Sequence, residues 1–416
     1  MTREISKKDF ATLSTLPRIG VVHPRLAAGG GSEAVALWIL FALQDVAELT
    51  LMTSGPVDLV RLNDQYGTRV EASRVRIMSL PLLPGLGSRF AALQSARLAR
   101  FCRGRSTDFD LMISSYNVCD LGQPGLQFVG DFSFDDDLRR ELHHGPGGPR
   151  NFLYDRSFLR SAYLRFGRMW SRERDGAWKS NATAANSQWT RKMLRERYGI
   201  DSEVAYPPVS AFSGGVPWEE REDGFVCIGR IAPEKRIESL IDILGRVRER
   251  GRCLHLHVLG GKGDPSHFRR MKRVFQQNRE WVRYEGAVFG EAKREILSRH
   301  RYGISGCRYE AFGIAVAEMA KSGLIPWVPR DGGQVEIVED QALTYENEDE
   351  AVLKILRVLG DPGLQMEFRE RLLRSTARFS PERFVADVRD LVSRTLDREG
   401  RVGGLFFERP GTPSAT

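Results

Sequence analysis

The chain is poor in cysteine, with five in 416 residues: Cys102, Cys119, Cys227, Cys253 and Cys307, none of them in a C-x-x-C pair. Scattered thiols argue against a disulfide framework and a cysteine zinc site, and they point to a reducing, cytoplasmic setting. Long apolar runs are also missing. The longest, Ala34–Leu43, is far short of the about 20 residues that a membrane-spanning helix needs. The opening residues M-T-R-E-I-S-K-K-D-F hold no apolar stretch of a secretion signal. The glycine cluster at Gly29-Gly30-Gly31 is not G-x-G-x-x-G, and no Walker lysine follows it, so dinucleotide and P-loop binding are disfavoured. No repeat of solenoid period is present. Acidic charge is in deficit: 62 Lys and Arg against 54 Asp and Glu leave a net +8. Excess base suits an anionic partner, whether nucleic acid, a membrane face or a phosphorylated substrate. What remains is 41% hydrophobic and 28% charged, ordinary for a soluble globular protein. The length suffices for two domains, each with its own core.

Strand and helix patterns alternate along the chain. Arg18–His23, Leu49–Thr53, Val75–Ser79, Leu111–Ser114 and Leu126–Gly130 read as strands. The stretch Ala182–Tyr206 holds a strand, an Asn-Ser cap, a helix ended near Gly199 and another strand. Pro207-Pro208-Val209 leads into a connector over 213–223, rich in glycine, proline and acid. A second series opens with strand Phe225–Ile228 and helix Ile237–Arg250, continues through strands Leu254–Leu259, Trp281–Ala287 and Ile325–Val328, and closes with helix Arg378–Leu396. Two such series predict two doubly wound α/β domains, at 1–208 and 209–378, followed by a helix at 379–396 and a flexible tail at 397–416.

The densest chemistry lies at 306–322, G-C-R-Y-E-A-F-G-I-A-V-A-E-M-A-K-S. Tyr302–Ile304 before it reads as a buried strand and Ala311–Lys321 as a helix. Gly313 then falls in the first helical turn, where free N–H groups and the macrodipole favour an anion. Without a Cβ it lets a phosphate approach the backbone, between Phe312 and Ile314. Glu310 and Glu318 flank this seat, and Glu318 is placed to accept hydrogen bonds from sugar hydroxyls. A glycosidase pair fits poorly. It needs carboxyl groups within roughly 5–9.5 Å, whereas eight helical residues rise about 12 Å. Gly229-Arg230-Ile231-Ala232-Pro233-Glu234-Lys235 puts two cations of limited burial at another strand tip. Arginine suits an anion by forked hydrogen bonds and lysine as a point charge; an exposed loop with incidental charges is the other reading. The loop Gly29–Glu33 between strand and helix reads either as an anion-facing turn or as a tight turn alone.

In order, these motifs resemble the retaining GT-B glycosyltransferases of family 4, the group 1 type. The resemblance rests on E-x7-E with an internal E-x-F-G, on G-R-x4-K, and on H-P-x4-G-G-G-x-E, and it covers roughly 18–395. It implies two Rossmann-like domains facing each other across a cleft, with the C-terminal helix crossing back to the first. The first domain would bind the acceptor and the second the nucleotide-sugar. The implied reaction moves a sugar from a UDP- or GDP-sugar to a lipid-linked, glycan or small-molecule acceptor with retention, needing no metal and no cofactor. Arg230 and Lys235 would neutralise the leaving diphosphate, and Glu310 would lie by the donor sugar. The amides of Phe312, Gly313 and Ile314 would hold the diphosphate, and Glu318 the ribose. Gly30 and Gly31 would face the cleft, while the loops at Gly229 and Gly260 and the turn at Val288 would touch the nucleotide. Where the family often has a cleft histidine, this chain has Asp131, which either orients an acceptor hydroxyl or caps a turn. The alternatives are a GT-B phosphorylase, a sugar-nucleotide epimerase, or a non-catalytic nucleotide-sugar-binding scaffold.

Other charged clusters read as structure. Asp135-Asp136-Asp137 fits a helix N-terminus better than a metal-binding D-x-D. His255 and His257 alternate on one strand and read as strand residues, since no third metal ligand is nearby. Arg89–Arg105 reads as a basic amphipathic helix, with Phe90, Leu93, Leu98 and Phe101 as its apolar side. The stretch 150–179 is dense in arginine and aromatics. It fits base stacking, a helix on anionic lipid, or a core helix with a solvated arginine face. No RNA- or DNA-binding module accompanies it, so nucleic acid is set aside. The expected location is cytoplasmic, with a peripheral place on the inner membrane face as an option.

Overall fold

The computed structural model describes residues 16–26, 29–82, 91–142, 167, 169–171, 174–210 and 215–398. Two parallel sheets organise them. The first runs β3-β2-β1-β4-β5-β6-β7, with β1 Arg18–Val22, β2 Glu48–Ser54, β3 Val75–Leu80, β4 Leu111–Ser114, β5 Leu126–Val129, β6 Ala182–Ala185 and β7 Glu203–Val204. Its helices are α1 Gly31–Leu43, α2 Leu59–Tyr66, α3 Ala91–Arg103, α4 Asp136–Leu142 and α5 Gln188–Tyr198. The second runs β10-β9-β8-β11-β12-β13, with β8 Glu222–Ile228, β9 His255–Leu259, β10 Val282–Gly286, β11 His300–Ile304, β12 Ile325–Pro329 and β13 Thr344–Tyr345. Its helices are α6 Ile237–Glu249, α7 Pro265–Gln277, α8 Gly290–Arg299, α9 Ile314–Lys321, α10 Val335–Val338, α11 Glu348–Leu359 and α12 Pro362–Ser375. A last helix, α13, spans Pro381–Arg398.

Strands β4 and β5 are buried at every residue, as expected where helices cover both faces of a parallel sheet. In α6 the apolar residues Ile237, Leu240, Ile241, Leu244 and Val247 recur at helical spacing and are all buried, so burial of one face fixes how the helix lies on the sheet. Phe225, Tyr302 and Trp327 tie β8, β11 and β12 together, with ring centroids 5.1 Å apart for the first pair and 6.0 Å for the second. The first core holds Ile19, Val21, Leu37, Leu111 and Leu126, and α13 adds Phe384, Val388, Leu391 and Val392 to it. Arg389 Nε donates to the Ala42 carbonyl at 2.8 Å, and Arg394 to Glu203 at 2.6 Å. The C-terminal helix therefore crosses back to the first domain, as expected, and it runs two residues into the stretch read as a tail.

Strand order reverses between β1 and β4 in one sheet and between β8 and β11 in the other. Loops leaving the carboxyl ends of the strands at such a reversal diverge and leave a crevice. Asp135 Oδ1 accepts from the N–H groups of Asp137 and Leu138, both at 2.9 Å, so the acidic run caps α4 as expected. On α3, Leu98 and Cys102 are buried against Met52 and Met112. Its arginines are used within the chain: Arg100 donates to the Trp170 carbonyl and Arg103 to the buried Asp120. Residues 89–90 and most of 150–179 lie outside the described residues.

Candidate functional site

The carboxyl ends of the two sheets face each other across a cleft of about 850 Å³. Gly30, Gly31, Asp131, Gly229, Arg230, Lys235, Gly260, Val288, Glu310, Phe312, Gly313, Ile314 and Glu318 all line it. Every residue that the sequence nominates is thus brought to one cavity.

On the first-domain wall, Gly30 caps α1. The buried Glu33 accepts from the Gly30 N–H at 3.1 Å and from the Ser32 hydroxyl at 2.9 Å, which pins the glycine loop. A Cβ on Gly31 would lie 2.7 Å from Ile314 Cδ1, so this loop meets the start of α9 across the cleft. At the strand reversal, His23 Nδ1 lies 3.0 Å from Ser115 Oγ, whose hydroxyl donates to the Val22 carbonyl at 2.9 Å. Ser115 therefore accepts, and Nδ1 carries the hydrogen. Burial lowers the pKa of His23 to about 4, against the opposite pull of Glu33. Asp131 accepts from Tyr116 Oη at 2.9 Å, Asn117 Nδ2 at 2.6 Å and the Ser133 N–H at 2.9 Å. It caps a turn and joins two strand-end loops while still facing the cleft.

On the second-domain wall the glycine turn differs from expectation. Gly313 is the cap of α9 rather than part of its first turn, and it sits at φ +99° in the left-handed region that glycine tolerates. The three residues before it are held elsewhere. Glu310 bridges to Gly332, and its carbonyl accepts from the Gly333 N–H at 2.7 Å. Glu310 therefore lies off the helix, and the helical-rise estimate for the two glutamates does not apply. The first amides of α9 still lack intrahelical acceptors and point out of its N-terminus.

The two cations also differ from each other. Arg230 is 67% exposed and, among the described residues, pairs with Glu234 at 3.2 Å. Lys235, expected to be similarly open, ends a short 3-10 turn and is mostly enclosed, with Nζ bonded to Glu310 Oε2. Burial alone would lower its pKa, but the Glu310 carboxylate outweighs that and holds it above the ordinary lysine value. Glu318 is likewise engaged, by Lys293 Nζ of α8 at 2.6 Å.

Sequence reasoning missed Lys293 and the joint between the domains, and it used His23 only as the first residue of H-P-x4-G-G-G-x-E. In that joint the Glu336 carboxylate accepts from the Gln188 and Trp189 N–H groups at 3.0 and 2.8 Å and from Tyr206 Oη at 2.9 Å. It caps the first turn of α5 from the opposite domain. Ser187, the α5 cap itself, donates back to the Ala311 carbonyl. Only the Asn-Ser cap was visible in the sequence.

The histidine reading is corrected. His300, the first residue of β11, meets His255 and His257, and one ring nitrogen of each of the three lies within 4.8 Å of the others. The third side chain is distant in sequence and adjacent in the sheet.

Residues 222–361 match the family model described as Glycosyl transferases group 1. A curated relative, the GDP-Man:Man(3)GlcNAc(2)-PP-Dol alpha-1,2-mannosyltransferase of Dictyostelium discoideum, is 23% identical over 245 residues, covering 52% of this chain and 48% of that protein. The chain therefore spans about half the length of this relative. Among solved structures, WaaG, a glycosyltransferase involved in lipopolysaccharide biosynthesis, superposes with a TM-score of 0.66 at 15% identity, over 91% of this chain and 99% of that one. HepE of Anabaena in complex with UDP and glucose gives 0.62 at 15% identity, over 92% and 99%. The fold is GT-B: two Rossmann-like domains with the described helix returning to the first.

Proposed function

We propose that this chain, whose second domain matches the group 1 glycosyl transferases, is a retaining glycosyltransferase. It transfers a sugar from a nucleotide-diphosphate donor to a lipid-linked or glycan acceptor. The observation that carries the reading is convergence on one cavity: two cations after β8, the open N-terminus of α9, and a carboxylate on either side of it. An anion seat between Glu310 and Glu318 suits a diphosphate joined to two hydroxyl-rich groups, a sugar and a ribose. Charge grows on the diphosphate as the sugar leaves, and Arg230, Lys235 and the α9 amides stabilise it where it develops. Lys235 must exchange Glu310 for phosphate to do so, and Glu310 then stands beside the donor sugar. These cations fill the place a metal would take. Glu336 and Ser187 tie the two walls of this cavity together.

The mannosyltransferase relative makes GDP-mannose the first donor to try, and an α-linked product from that α-linked donor would be retention. Docking on an anionic membrane face is part of this reading, through one of the two basic stretches, 89–105 or 150–179. A screen of GDP-, UDP- and ADP-sugars by calorimetry, then by turnover on lipid-diphosphate-linked oligosaccharides, tests the reading. Micromolar binding of one donor and transfer from it are expected. Binding without transfer to any acceptor would favour the scaffold reading, phosphate-dependent release of the sugar a phosphorylase, and donor isomerisation without acceptor an epimerase.

A further inference from the structure

At the end of the second sheet away from the cleft, three strands begin with residues that carry metal-ligating side chains. Glu222 opens β8, His255 opens β9 and His300 opens β11, with His257 two residues along β9. Strand β8 runs between the other two, so His255 and His300 would ordinarily be kept apart by a side chain on it. The residue there is Gly224. A Cβ at that position would lie 2.3 Å from His255 Nε2 and 2.5 Å from His300 Cδ2. The two rings lean over the glycine into the space it leaves, and their Nε2 atoms come to 3.0 Å of each other. Glu222 Oε2 lies 3.3 Å from the same His255 nitrogen.

We propose that His255, His257 and His300 form a binding site for a divalent first-row transition ion of the zinc class, with the Glu222 carboxylate closing the shell. Imidazole nitrogens with one carboxylate oxygen are a zinc-type donor set. A tetrahedral ion with bonds of about 2.0–2.1 Å holds its nitrogen ligands about 3.3 Å apart, close to the spacing that His255 and His300 already have. The outer partners are also in place. His300 Nδ1 donates to the Ile296 carbonyl at 2.6 Å, which leaves Nε2 as a bare lone pair. His257 Nδ1 sits 2.7 Å from Glu285 Oε1, the carboxylate–histidine arrangement that orients a ligating ring and raises its basicity. Without an ion, the facing Nε2 atoms of His255 and His300 share one hydrogen; the ion takes its place. His255 is part-exposed and Glu222 half-exposed, which gives entry from solvent. The site fastens the starts of β8, β9 and β11 and lies at the far ends of the strands from Gly229, Gly260 and Ser305. Its role is to hold the second domain together.

The full chain, stripped with a chelator and dialysed, is titrated with Zn2+ by calorimetry and with Co2+ by visible absorption. One ion per chain, a rise in Tm on adding Zn2+ and a tetrahedral Co2+ spectrum are expected. His255→Asn and His257→Asn should each weaken Zn2+ binding at least tenfold, and Glu285→Gln by about tenfold to a hundredfold through the outer hydrogen bond. His267→Asn, on α7, is the control and should change nothing. His255 is part-exposed, so its variant should fold, and circular dichroism establishes that. A folded chain that takes up no stoichiometric Zn2+, or that takes it up equally well with Asn at 255, overturns the proposal.

Discussion

Replacing Glu310 with Gln should tighten the binding of a free nucleoside diphosphate while lowering turnover. In the resting chain Lys235 is held by Glu310, with the two side chains 25% and 28% exposed. A phosphate arriving at that amine meets a carboxylate beside it. Two unit charges about 5 Å apart repel by roughly 1–3 kcal/mol for effective dielectric constants between 80 and 20. The amide removes that charge and keeps the shape, so Kd for GDP or UDP should fall by about fivefold to a hundredfold. A nucleoside diphosphate carries no sugar, so loss of the contact at the donor sugar does not enter this measurement. Turnover with an intact sugar nucleotide does depend on that contact and should drop. Calorimetry at two salt concentrations measures the first effect, and its size should shrink as salt screens the site. An unchanged or weaker affinity in a folded Glu310→Gln chain would refute the reasoning, because the phosphates would then lie away from Lys235.

Arg230→Ala and Lys235→Ala should each lower kcat/KM on the order of a hundredfold, as loss of one oxyanion donor does, and the pair should be less than additive. Near wild-type turnover in the double variant would remove this loop from the site. Glu318→Ala should weaken sugar-nucleotide binding by about 1.5–3 kcal/mol, the worth of a charged hydrogen bond, and it leaves Lys293 without its partner; an unchanged Kd by calorimetry would exclude Glu318. Turnover should persist in EDTA, whereas complete loss restored by manganese would overturn metal independence, and His255→Asn separates any effect of the histidine cluster. His23 titrates at about 4 in the folded chain against its ordinary 6.5, so the unfolded chain binds the proton first. Its contribution is therefore present above about pH 6.5 and lost as pH falls towards 4, roughly 3 kcal/mol in all. Urea unfolding at pH 7 and 4.5 should show a smaller difference in His23→Gln than in the parent, and equal differences would contradict it.

Alternation of strands and helices was enough to read two parallel α/β domains, because each element is short and its apolar pattern local. The phosphate-facing motifs were legible for the same reason: Gly229–Lys235 and Glu310–Glu318 are contiguous stretches. What those residues touch was not. The bond between Lys235 and Glu310 joins residues 75 apart and that between Lys293 and Glu318 residues 25 apart; no spacing rule reports such pairs. The start of α9 was misplaced because helix-forming residues around Ala311 are held by Gly332 and Gly333, which come later in the chain. The joint made by Glu336 has no local signature, because its partners Gln188, Trp189 and Tyr206 lie 130 to 148 residues earlier in the chain. His300 joined the other histidines only once sheet order was known.

The two helix N-termini that meet at Gly31 and Ile314 are unequal. Glu33 sits in the first turn of α1 and takes up its positive end internally, whereas α9 has no acid in its first turn. Each helix end is worth about half a positive charge, and only one of the two is left unspent. The attraction for a diphosphate therefore belongs to the second domain before the first takes any part. For the transfer proposed above, this predicts that the donor adds before the acceptor and that the nucleoside diphosphate leaves last. The diphosphate would then compete with the donor and not with the acceptor, and an acceptor offered alone would meet a surface with no sugar to receive.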